Sequence, residues 1–162
     1  MIEIKVGKRI LNKSTKRADL QKTNTFSFTE NGKLYGILAE ELLLAKYPEF
    51  ILKNTKHYDL ELDGFKFDVK AKTCKGPPLP NYTASVSDYQ KLHLTDFYIF
   101  FRIQKDLSIA WELGVIKKQE FYDRATYVGV GERDGPFVCR IAMWSIQIDK
   151  LIPIPQFLKT LK

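Results

Sequence analysis

Cysteine, histidine and long apolar runs are all scarce in this chain of 162 residues. Its two cysteines, Cys74 and Cys139, lie far apart and define no disulfide framework, which points to a reducing compartment. Only His57 and His93 accompany them, and no zinc-finger spacing arises. No run of about 18 apolar residues exists, so no membrane-spanning helix is expected. The opening "MIEIKVGKR" carries no apolar signal region. Internal repeats and low-complexity segments are absent as well. What remains is the expectation of one soluble domain over residues 1–162, whose 44% hydrophobic content suffices for a real core.

Negative charge is the next scarcity. The formal net charge is +7 and the sequence pI near 9.3, a balance that favours a polyanionic partner. Residues 1–22 hold Lys5, Lys8, Arg9, Lys13, Lys16, Arg17 and Lys22 against only Glu3 and Asp19, a net of +5. The reading is a basic N-terminal arm over about residues 1–25 that contacts phosphates. Its alternative is a merely solvated terminus. Lys72 and Lys75, beside the Pro-rich loop "CKGPPLPNYT" (74–83), are further candidates for phosphate contact.

Two aspartates pose a sharper question. In "HYDLELDGFKFDVKAK" (57–72), Asp63-Gly64 between alternating runs predicts a two-residue type I′ hairpin. The register would pair Leu62 with Phe65, Glu61 with Lys66, Leu60 with Phe67, Asp59 with Asp68, Tyr58 with Val69 and His57 with Lys70. One face is then apolar (Tyr58, Leu60, Leu62, Phe65, Phe67, Val69) and the other polar (His57, Asp59, Glu61, Lys66, Asp68, Lys70). Like charges directly opposite destabilise a strand pair. Either the polar face is solvated, or a divalent cation sits between Asp59 and Asp68. Hard Mg²⁺ takes one or two carboxylates and keeps waters for a phosphate. Lys70, on the same face, would then orient a water or offset phosphate charge.

"NGKLYGILAEELLLAKYPEF" predicts a helix from about Lys33 to Tyr47, stopped near Pro48, with Ser27 and Glu30 at capping-box spacing upstream. It is apolar on most sides and therefore buried, yet Glu40 and Glu41 lie in its middle. One of them needs a cation or a hydrogen-bonding site. Gly36 shares a face with Glu40 and is read as permitting close packing.

Taken together, Glu40 in "GILAE", Asp59 in "HYDLEL", and Asp68 with Lys70 in "FDVK" resemble the PD-(D/E)xK nuclease superfamily, the restriction-endonuclease-like fold. The family's proline is replaced by Tyr58, and the resemblance covers residues 33–104. It implies an α+β fold with an αβββαβ core, a mixed central sheet flanked by helices, and extra C-terminal strands. The activity it implies is Mg²⁺-dependent endonucleolytic hydrolysis of DNA, with Mn²⁺ as a substitute. Asp59, Asp68, Glu40 and the Val69 carbonyl would hold the metal, and Lys70 would position the attacking water; Glu41 stays open as an alternative to Glu40. A site-specific restriction- or homing-type endonuclease, a Holliday-junction resolvase and a catalytically silent DNA-binding module are the variants this pattern admits. A basic protein-interaction domain is the reading from outside the class. A homodimer in the cytoplasm of a bacterial or phage-infected cell would fit.

Downstream, "SVSDYQKLH" (85–93) is expected as a short helix, "DFYIFFRI" (96–103) as a buried central strand and "LSIAWELGVI" (107–116) as another. A short strand near "FILK" would complete the core order. A second hairpin is expected around Glu132–Gly135, and "LIPIPQFLKTLK" as a short amphipathic end.

Overall fold

The structure, a computed structural model, describes residues 1–21, 30–135 and 137–161. In chain order its elements are β1 (Ile2–Lys5), α1 (Lys8–Leu20), α2 (Glu30–Lys46), β2 (Ile51–Leu52), β3 (Leu60–Leu62), β4 (Phe65–Cys74), β5 (Thr83–Ser87), β6 (Phe97–Gln104), β7 (Ile109–Lys117), α3 (Lys118–Arg124), β8 (Thr126–Val128), β9 (Arg133–Asp134), β10 (Phe137–Val138), β11 (Met143–Gln147) and α4 (Ile154–Thr160). Six strands form a mixed sheet in the order β1-β7-β6-β4-β3-β2. Within it β4 and β6 run parallel and the other neighbours antiparallel. A second, antiparallel sheet has the order β5-β11-β8. Helices and a mixed sheet make this an α+β chain.

Strand β6 explains where the cores lie. It is flanked on both sides, and seven of its eight residues are buried, as an aromatic and β-branched run requires. Phe97, Ile99, Phe101 and Ile103 face one core, shared with Leu38, Leu42 and Leu43 of α2 and with Ile154 and Phe157 of α4. Tyr98 and Phe100 face the other, shared with Val86 of β5, Phe121 of α3 and Ile146 of β11. Helix α2, apolar nearly all round, is covered by α1 on one side and packs against β4 on the other.

The expected hairpin forms, and then breaks where the chemistry lies. Asp63 and Gly64 have φ of 50° and 82°, the two positive values a type I′ turn needs. Leu62–Phe65, Glu61–Lys66 and Leu60–Phe67 pair in the expected register. The ladder stops there, so the pairs Asp59–Asp68, Tyr58–Val69 and His57–Lys70 do not form as ladder partners. The cause is local: the Thr55 hydroxyl accepts the N–H groups of His57 (3.2 Å) and Tyr58 (3.0 Å), which turns the chain away from the sheet. Asp59 N–H donates instead to the Phe67 carbonyl at 2.9 Å.

Several expectations need correction. Residues 1–21 are no free arm: β1 pairs with β7 and α1 packs on α2, because Ile4, Ile10 and Leu11 give the segment an apolar side against the core. Segment 85–93 is helical only in its second part, as a five-residue 3₁₀ helix at Asp88–Leu92, and not as the expected continuous short helix. Its first part is β5, paired with β11, so an α-helix is missing from the second helical position of the expected αβββαβ order. Gly36 is not a close-packing position among the described residues, of which a Cβ there would meet none within 4 Å. The second hairpin turns at Gly135, between β9 and β10. The amphipathic end is α4, and it docks on the core. Ser27 of the capping box and Lys22 lie outside the described residues. Among the described residues no helix is long and apolar enough to cross a membrane.

Two glycines give opposite stability expectations. Gly114 has φ of 145° at the bulge facing Phe100 and Phe101, and a Cβ would lie 2.6 Å from the Ile152 carbonyl oxygen. Gly114→Ala should destabilise by about 1–3 kcal/mol or more, combining strain and clash. Gly36→Ala should stabilise by about 0.5–1 kcal/mol, the helix-interior penalty of glycine. Urea unfolding midpoints check both; a Gly114→Ala protein as stable as its parent would sink the bulge argument.

Candidate active site

Asp68 stands on β4, between β3 and β6, and is only 4% exposed. Two residues along the same face, Lys70 places its Nζ 2.7 Å from Asp68 Oδ1. Asp59 lies just before β3, and its Oδ2 accepts the Val69 N–H at 2.8 Å. Although the ladder has ended, this bond ties the Asp59 carboxylate to the residue following Asp68. Glu40 and Glu41 come from the buried middle of α2. Arg17 of α1 bridges them, with its two terminal nitrogens 2.5 Å from Glu40 Oε2 and 3.2 Å from Glu41 Oε1. Lys13 adds a 2.6 Å contact to Glu41 Oε2.

These carboxylates share one electrostatic environment. Burial pushes the Asp59 carboxyl well above its usual range, and the charges of Asp68 and Glu40 push it further; Lys70 and the Val69 N–H pull the other way. Burial also raises Glu40. Arg17 opposes that shift, while Glu41 and Asp68 add to it. Glu40 thus acts electrostatically with both aspartates while paired to Arg17, and Glu41 is held by Arg17 and Lys13.

Carboxylate oxygens on Glu40, Asp59 and Asp68 suit a hard cation such as Mg²⁺, and crowded, buried negative charge is what such an ion offsets. In this conformation each oxygen set is engaged by a protein donor: Glu40 by Arg17, Asp68 by Lys70, Asp59 by the Val69 amide. Among the described residues no three His, Cys, Asp or Glu side chains converge closely enough to hold an ion. The donor chemistry suits such an ion, while in this structure the carboxylates are held by Arg17, Lys70 and the Val69 amide. Val69 contributes its N–H here, where the resemblance implied its carbonyl.

The remaining expected residues divide by location. Lys8, Arg9 and Lys16 are exposed on α1, and Lys75 is exposed just beyond β4. Lys13 and Arg17 engage carboxylates of α2 instead of standing free for phosphates. Lys72 lies in a recess against the Ser85 hydroxyl. Sequence reasoning missed His93 and Lys118. His93 packs edge-to-face on His57 with ring centroids 5.4 Å apart, and both Asp68 and Lys70 act on it electrostatically. Burial holds its imidazole below the usual range. The Lys118 ammonium donates to the His93 carbonyl at 2.5 Å. No local spacing announces either residue, because only the tertiary fold brings them to Asp68.

Asp59 yields a pH prediction. An unfolded chain ionises Asp59 near its ordinary value of 3.8, whereas the folded chain holds the proton to higher pH. Above 3.8 the unfolded state binds fewer protons, so this group lowers stability as pH rises and keeps it lowered beyond the folded pKa. Without metal, Asp59→Asn should melt above the parent at pH 7, by roughly 2–4 °C for each kcal/mol relieved. The gap should close as pH falls toward 3.8. Melting curves in EDTA across that range check this; a parent more stable than the variant at pH 7 would refute the crowding.

No family model matches this chain, and a search of curated proteins also finds no match, so its functional reading rests on the side chains just described.

Proposed function

We propose that the protein is a metal-dependent endonuclease that hydrolyses DNA phosphodiester bonds. One observation carries this reading: Glu40, Asp59, Asp68 and Lys70, separated along the chain, act on one another electrostatically, with Asp68 and Glu40 raising the Asp59 carboxyl and Lys70 paired to Asp68. Asp59, Asp68 and Glu40 would hold Mg²⁺, or Mn²⁺ in its place. Such an ion supplies Lewis-acid charge against the negative charge that develops on the phosphate. Lys70 does the rest of the work proposed for the chain. Its ammonium, now on Asp68, would orient the attacking water and offset the negative charge that develops on the phosphate. The net charge of +7 and the exposed Lys8, Arg9 and Lys16 on α1 support a polyanionic substrate, held with an affinity that falls as salt rises. One such cluster per chain suits a homodimer where both strands are cut.

A second reading, a non-catalytic DNA-binding module of the same architecture, draws on a specific observation as well. Arg17, Lys13 and Lys70 already neutralise much of the acidic charge without any ion.

Supercoiled plasmid and a four-way junction, each with Mg²⁺, Mn²⁺ or EDTA, separate the readings. The wild type should cut only with metal, and Lys70→Ala, checked for an unchanged melting curve, should lose about 10²–10⁴-fold in rate. Preference for the junction makes it a resolvase; preference for the plasmid, a site-specific endonuclease. Binding without cutting would leave the non-catalytic module, cutting confined to RNA would change the substrate, and a fully active Lys70→Ala would overturn the site.

A further inference from the structure

A second pair of like charges lies further along β4. In the parallel register between β4 and β6, Lys72 is the direct partner of Arg102. Two cations in that relation repel, as two facing carboxylates do. Both sit in surroundings that disfavour their charge. Arg102 is 8% exposed and sends hydrogen bonds to the carbonyls of Thr83 (2.5 Å) and Thr73 (3.5 Å). The nearest acid to Lys72 is Asp134, with 3.8 Å between Nζ and Oδ2. That carboxylate is itself shared with the hydroxyls of Thr83 (2.9 Å) and Ser145 (3.2 Å). One acid, divided this way, faces a buried guanidinium and a half-buried ammonium.

The pair opens onto a cavity of about 190 Å³ between the main sheet and β5. Hydrogen-bonding groups of Ser85, Thr83 and Gln90 line it, and Lys70 of the acidic cluster forms part of its wall. Lys72 contacts the Ser85 hydroxyl, keeps 38% of its side-chain surface exposed and lines the cavity. Lys70 and Lys72 are two residues apart on one face, roughly 7 Å along the strand. That is about the reach of one nucleotide.

We infer that this cavity is an anion site that takes a phosphate group of the substrate strand, next to the phosphate held at the acidic cluster. Lys72 and Arg102 supply the charge, and Ser85 and Gln90 supply directed hydrogen bonds of the kind that fix a phosphate's orientation. The strand assignment rests on the nuclease reading, whereas phosphate binding as such does not. A terminal monoester and an internal diester present the same chemistry to these residues.

The first test therefore uses inorganic phosphate without any nucleic acid. Full-length protein in EDTA is melted in increasing phosphate, against chloride at matched ionic strength. Lys72→Gln and Ser85→Ala are compared with wild type, and Lys159→Gln, on α4, controls for loss of one positive charge. Phosphate should raise the wild-type and Lys159→Gln melting temperatures, with apparent affinity at least tenfold weaker in Lys72→Gln and several-fold weaker in Ser85→Ala. Ser85→Ala keeps the test decisive if Lys72→Gln fails to fold. No phosphate-specific shift in wild type, or an equal shift in all variants, overturns the site whether or not the protein cuts DNA. Short single strands with and without terminal phosphates then identify the source. A tenfold preference for the phosphorylated end, lost in Lys72→Gln, marks a terminal monoester. Equal affinity for both, still weakened in Lys72→Gln, marks an internal diester. Binding by Lys72→Gln equal to wild type for both strands overturns the assignment to the substrate strand. A nuclease that fails to cut yet passes the phosphate test retains this site and loses only the reading of what it serves.

Discussion

Negative charge withdrawn from water is the constraint around which this chain is arranged. Glu40, Glu41 and Asp68 are each less than a tenth exposed, and desolvation with the neighbouring acids raises the Asp59 carboxyl above its usual range. An ionised carboxylate in such surroundings persists only with partners. The fold supplies them from two separate elements: Arg17 and Lys13 from α1, and Lys70 with the Val69 amide from β4. The docking of α1 on α2 is therefore electrostatic at its centre as well as apolar at Ile10 and Leu11. Buried ion pairs are poor stabilisers compared with apolar packing of the same volume. A cluster of this size is better explained by what it can bind than by what it adds to stability.

The same strand carries the opposite problem a short distance away. On one face of β4, Asp68 is followed by Lys70 and then Lys72, so the sign of the charge reverses along a few residues. The parallel partner β6 reinforces the change, placing Tyr98 beside Asp68, Phe100 beside Lys70 and Arg102 beside Lys72. The other face of β4 puts Phe67 and Val69 into the core under α2. Period-two alternation lets one strand act as a structural wall on one side and a graded polar track on the other. The second sheet matters here, since β5 provides the far wall of the cationic cavity through Thr83 and Ser85.

Much of this was legible before the fold was known, and the limits are physical. The Asp63-Gly64 turn fixed three ladder pairs because a two-residue loop leaves the register no freedom. The pairing failed at Asp59 because Thr55, whose hydroxyl redirects the chain, acts through bonds that hydrophobic alternation does not report. Segment 85–93 was misread since Val86, Tyr89 and Leu92 fit a helical spacing. The partner that makes a strand of its first half, β11, lies far downstream in the sequence. Charge counting found the basic N-terminal segment and could not find its purpose. Arg17 looks like any other arginine until α1 is laid against α2. Glu40, Asp59, Asp68 and Lys70 were singled out together through a resemblance in type and order, and the fold brings them into electrostatic contact, whereas His93 and Lys118 reach Asp68 only through tertiary contacts.

Arg17 finally sets the terms on which any external cation could enter. Its guanidinium engages both helix glutamates in the fork geometry suited to paired carboxylates, and only 15% of its side-chain surface is exposed. A cation on Glu40 Oε2 would compete for the oxygen that Arg17 now holds at 2.5 Å. Asp68 and Asp59 carry no such bridge between them, since their protein partners are an ammonium and a backbone amide on β4. The two aspartates are thus the less committed half of the cluster and Glu40 the more committed half. Lys13, with 66% of its side-chain surface exposed, is weakly held by comparison, so Arg17 is the group whose position ties the first helix to the state of the site.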